Sequence, residues 1–109
     1  MRAILAAALV CVSLPAWAQA VYQYKPTGTP QYGLAVTSVQ TLTVPTQARI
    51  AEICVDTAAI RYTTSGTTPS STVGMAVASG ACFQIAGRDA LIAIQIIGSG
   101  ATVDVEYFQ

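Results

Sequence analysis

From residue 35 to the C-terminus, apolar and polar side chains alternate one by one in several short runs, and a period of two restricts the chain to extended structure. In Ala101-Thr102-Val103-Asp104-Val105-Glu106-Tyr107 the odd positions are apolar and the even ones polar, as in a strand with one buried and one wet face. Ala51, Ile53 and Val55 alternate in the same way with Glu52, Cys54 and Asp56, and Ala81, Phe83 and Ile85 with Cys82 and Gln84. Ile60 and Tyr62 share a face between Arg61 and Thr63. Residues 91–97 are nearly all apolar, with Ile92, Ile94 and Ile96 on one side, which predicts the most central strand. Turn chemistry separates the runs at Val44-Pro45-Thr46, Ser65-Gly66, Ser79-Gly80, Gly87-Arg88-Asp89 and Gly98-Ser99-Gly100. No window of ten residues after Gln19 keeps a capped helical stripe, so essentially no α-helix is expected there. The pattern predicts an all-β domain over residues 35–109, a small antiparallel β-sandwich or jelly-roll-like barrel. A transmembrane barrel needs at least eight strands of ~9–11 residues, more than this segment can supply.

The first eighteen residues have a different character. Met1-Arg2 is followed by an apolar run through Val12, then Ser13-Leu14-Pro15 and Ala16-Trp17-Ala18, an A-x-A pattern. Residues 1–18 therefore read as a signal-peptide helix, with Gln19 starting the mature chain. The alternative is an uncleaved anchor, but a span takes ~20 apolar residues, and this run is shorter and broken by Pro15. Residues 19–34 show no sustained period and carry Pro26, Pro30, Gly28 and Gly33. Tyr22, Tyr24 and Tyr32 in the same stretch suggest an extended assembly arm that lies on something, its own domain or a neighbouring subunit.

Export leaves two cysteines, Cys54 and Cys82. In an oxidising compartment such a pair reads as one disulfide, against the alternative of two separate buried thiols. Both fall on the polar faces of their runs, so a bridge would staple neighbouring strands on an outer face.

The remaining composition argues against most chemistry. The chain has no histidine, which excludes Ser-His-Asp and Cys-His machinery and His-ligated zinc. Loss of Arg2 leaves four basic and five acidic groups, a formal charge of −1 that offers no field for nucleic acid. Asp104 and Glu106 lie on one outward face, about 7 Å apart along a strand, yet alternation alone already demands polar residues there. No loop holds more than one acid, as a calcium site would require. Lys25, Arg49, Arg61 and Arg88 are scattered, and Arg49 and Arg61 could pair across strands with Glu52 or Asp56. No catalytic set, cofactor motif or metal site is expected. The most distinctive segment is the uncharged, hydroxyl-dense run through Thr64, Ser65, Thr67, Thr68, Ser70 and Ser71, with Pro69 within it. It is either a hairpin connection whose hydroxyls satisfy their own backbone or a contact loop for a sugar or another protein.

The run Ile60-Arg61-Tyr62-Thr63-Thr64-Ser65-Gly66-Thr67-Thr68-Pro69, followed by Val73-Gly74-Met75, resembles small all-β proteins encoded in tailed-phage structural gene clusters. The similarity extends through Thr43-Val44-Pro45, Ala51-Glu52-Ile53 and the closing Ala101 to Phe108, covering about residues 42–108. The hairpin alone is also similar to the C-terminal β-sandwich modules of chitobiase-type enzymes. Members of the phage group often carry an acid before the glycine, where this chain has Ser65, and they need no export signal. The resemblance implies a non-enzymatic virion-type decoration or assembly subunit, acting through protein–protein contacts and forming homo-oligomers. The competing expectation is a secreted or periplasmic binding module, for carbohydrate in the first instance, using the hydroxyl-rich loop. The leader implies export, the resemblance a virion. Neither reading involves nucleic acid or a membrane span in the mature chain.

Overall fold

The computed structural model describes residues 24–109; the leader and Tyr22 lie outside the described residues. In chain order the elements are β1 (Gln31–Val36), β2 (Ile50–Asp56), β3 (Ile60–Thr63), β4 (Met75–Val77), β5 (Cys82–Ala86), α1 (Arg88–Ala93), β6 (Gln95–Gly98) and β7 (Ala101–Phe108). They form two antiparallel sheets, one of four strands in the order β1-β7-β2-β5 and one of three in the order β4-β3-β6.

The alternation in β2 and β7 sets the four-stranded sheet. Ala51, Ile53 and Val55 are buried, as are Ala101, Val103, Val105 and Tyr107, while Asp56, Asp104 and Glu106 face solvent. Ile60, Leu91, Ile94 and Ile96 join them in one core cluster, so both sheets and α1 bury their apolar faces together. At one side Tyr62 of β3 stacks on Phe83 of β5, with ring centroids 4.6 Å apart and planes 10° apart.

Cys54 and Cys82 are bonded to each other and stand directly opposite in the β2–β5 register. Val55 N donates to Ala81 O and Gly87 N to Arg49 O, so hydrogen-bonded pairs fall at every second rung and the cysteines occupy a rung between them. Strands approach most closely at such non-hydrogen-bonded pairs, and the Cα separation is 4.0 Å. The bridge lies on the outer face, as the alternation requires.

Three expectations need correction. Residues 91–97 are not one central strand: α1 takes up Leu91 and Ala93, and β6 is an edge strand of the smaller sheet. The six-residue α1 also departs from the expectation of essentially no α-helix, in a domain that is otherwise built of antiparallel strands as the alternation predicts. A continuous apolar run has no period to separate a buried strand from a helical turn leading into one. Helical spacing explains why Ile92 is 59% exposed while Leu91 and Ile94 are buried, and Asp89 in the first turn complements the helix dipole. Sheet pairing also begins before residue 35, because β1 starts at Gln31 within the stretch expected as an arm. Upstream of it, Lys25 and Gln109 exchange backbone hydrogen bonds and Thr27 N donates to Tyr107 O, so this part of the chain lies on its own domain.

The disulfide closes a segment with a sequence separation of 28. Replacing both cysteines by alanine should lower the unfolding free energy by about 3–4 kcal/mol in the chain-entropy model. Urea titration of the double variant beside the oxidised protein checks this; an unchanged midpoint would contradict it.

Candidate functional site

The hydroxyl-rich loop between β3 and β4 largely satisfies itself. Thr63 Oγ1 donates to Thr67 O, and Ser65 Oγ donates to Thr67 Oγ1 at 3.3 Å. Ser70 is the hub: its Oγ accepts from Thr72 N at 3.2 Å and Val73 N at 3.1 Å, and its N donates to Val73 O. Pro69 is buried, whereas Thr64, Thr68 and Ser71 are exposed. Much of this polarity is thus spent on loop conformation.

The loop also folds back against β3. Gly74 adopts φ 121°, and a Cβ there would stand 2.9 Å from Tyr62 O and 3.3 Å from Arg61 Cβ. Only a glycine allows that approach. Arg61 Nη1 then donates to Gly74 O at 2.9 Å, tying the end of the loop to the strand. Between loop and sheet lies an open hollow of about 330 Å³ whose lining includes Arg61, Ala76, Ile97, Ser70, Ser71 and Ser99. A half-buried guanidinium, three hydroxyls and an aliphatic floor suit an anionic or hydroxylated group on a small apolar body. Sequence reasoning singled out the loop but not Arg61 as its companion. The signal was the Arg between Ile60 and Tyr62, on the outward side of an alternating run.

The carboxylates serve the four-stranded sheet. Asp104 Oδ1 accepts from Gly33 N at 2.7 Å and Glu106 Oε1 accepts from the Tyr32 hydroxyl at 2.5 Å. These bonds hold the irregular stretch of β1 where the register shifts and Gly33 takes φ 66°. The hydrogen bond to Glu106 raises the Tyr32 phenol above its ordinary value of 10. Arg49 and Arg61 do not make the expected pairs with Glu52 or Asp56; Arg49 Nη1 donates to Ala48 O, and Arg61 is occupied as described. Glu52, Cys54 and Cys82 form the one grouping of possible metal ligands among the described residues, but the two sulfurs are bonded to each other.

Of the arm tyrosines, Tyr24 and Tyr32 are 48% and 62% exposed. A contact not foreseen from sequence anchors the same region. Tyr107 donates its hydroxyl to Gln31 Oε1, which also accepts from Thr43 N at 3.1 Å, so one amide joins β1, β7 and the segment leading to β2. No family model, curated protein or solved structure matches the chain.

Two outcomes follow from this geometry. Gly74→Ala should cost roughly 1–3 kcal/mol through backbone strain and the close carbonyl, read as a lowered melting temperature. Burial pushes the Tyr107 phenol from 10 up to about 12. The fold therefore favours the neutral phenol; that stability is intact below pH 10 and is lost as pH climbs towards 12. Thermal melts should fall across that interval for the native chain and fall less for Tyr107→Phe.

Proposed function

We propose that this protein is a non-enzymatic structural subunit: an exported β-sandwich that works by touching other proteins, as a homo-oligomer and as a decorating or joining piece of a larger assembly of the tailed-phage virion type. Division of the strands into four and three around one core supports the sandwich over the jelly-roll-like barrel. A disulfide is compatible with export, and among the described residues no helix is long and apolar enough to cross a membrane.

The observation that carries the reading is the open sheet edges at β5 and β4. On β5 the rungs facing β2 are Ala81, Phe83 and Ile85, which turns the backbone groups of Cys82, Gln84 and Ala86 outward. On β4, Met75 and Ala76 are exposed, Met75 by 63%. Unpaired edges are templates for another chain, and Met75, 63% exposed, supplies apolar surface on the β4 edge itself. The resemblance of residues 42–108 to phage structural proteins supports the virion role.

A second reading, a secreted or periplasmic carbohydrate-binding module, would use the hollow beside Ser70 and Ser71. A glycan array separates it from the first.

Sedimentation velocity on the chain from Gln19 should show concentration-dependent association, and mass spectrometry of particles from the source should find the polypeptide. A monomer at every concentration, absent from particles, would remove the assembly reading.

A further inference from the structure

We infer that the Arg61 hollow and the free edge of β4 together form a docking site for an extended, acidic segment of a partner protein. The inference rests on the protein-contact reading proposed above and names the chemistry of the contact.

The register supplies the geometry. On the outer face of the smaller sheet, Ile97, Arg61 and Ala76 form one rung across β6, β3 and β4. A strand added beyond β4 would place a residue opposite Ala76 on that same face, about 10 Å from Arg61 at two strand spacings. Only the Ala76 methyl stands between, so a glutamate can extend over it to meet the guanidinium. The residues flanking that acid would point to the other face, beside Met75 and Val77, where Met75 is 63% exposed. The segment recognised therefore reads apolar, acidic, apolar.

Charge selects the occupant. A guanidinium carries five N–H donors; Arg61 directs one bond to Gly74 O, and no carboxylate lines the hollow. Ser71 and Ser99 add hydroxyls at its rim. No aromatic ring lines it either, which disfavours a sugar, whose sites present such platforms. A protein segment can additionally pair its backbone with the β4 edge, as in strand addition.

The test is an amide-shift NMR titration of the chain from Gln19 with three probes. They are the blocked peptide acetyl-Thr-Val-Glu-Val-Thr-amide, the same peptide with glutamine in place of glutamate, and sodium glucuronate. The acidic peptide should give saturable shifts at Arg61, Ala76, Met75 and Ile97. The glutamine peptide should bind about tenfold or more weakly, as loss of a charge-assisted hydrogen bond predicts. Arg61→Gln should abolish the preference between the peptides, and Arg61→Lys should keep part of it. Equal binding of the two peptides, no shifts at these residues, or shifts from glucuronate alone would each overturn the inference. The peptide comparison leaves the protein unaltered, so it stands even if Arg61→Gln disturbs the loop. A chain that self-associates but ignores the acidic peptide sinks the docking site and leaves the assembly reading intact; a chain that binds it yet is monomeric at every concentration and absent from particles does the reverse.

Discussion

Between Cys54 and Cys82 the chain leaves the four-stranded sheet, builds two of the three strands of the other sheet, and returns to a Cα only 4.0 Å from its point of departure. The disulfide fixes that return. Without it, the entropy of closing the excursion must be met by the β2–β5 ladder and by the packing of β3 against the core. β4 is three residues long and lies at an edge, and the loop before it is mostly exposed, so the excursion buries little of its own beyond Ile60, Thr63 and Pro69. A covalent rung at its base therefore adds to a part of the fold whose outer end has little packing to hold it.

The two sheets divide their tasks. β2 and β7 form the centre of the larger one, with core residues on every inward rung from Ala51 to Val55 and from Ala101 to Tyr107. Their outward rungs carry Glu52, Asp56, Asp104 and Glu106, and Glu52 stands directly opposite Glu106. Like charges facing each other are unfavourable, and Tyr32 and Gly33 offset this by giving Glu106 and Asp104 donors. The smaller sheet instead sets Arg61 on its outer face under a loop. Charge is thus segregated, with acids on one outer surface and a guanidinium on the other.

What was legible in the sequence follows from which faces are wet. β2, β5 and β7 are readable because one side of each meets solvent, which imprints the period of two on Ala51 to Val55 and on Ala101 to Tyr107. The position of the disulfide on an outer face follows from the same alternation. Residues 91–97 carry no such imprint; their apolar character is shared by a helical turn and a short strand, and only the placement of α1 against the core distinguishes them. β1 is hidden for another reason. Its pairing with β7 spans most of the domain, and glycine and proline punctuation near it reads locally as a loop. The Arg61 hollow is a product of topology, since β3, β4, β6 and the loop meet there from distant parts of the chain.

Because the excursion is stapled at its base and its loop bonds mainly to itself, the tip around residues 64–68 is mechanically insulated from the parent sheet. Substitutions or insertions at that tip would leave the Ile53 and Val105 core untouched. Related chains could therefore diversify what they recognise while inheriting the same frame, much as interchangeable heads share one handle.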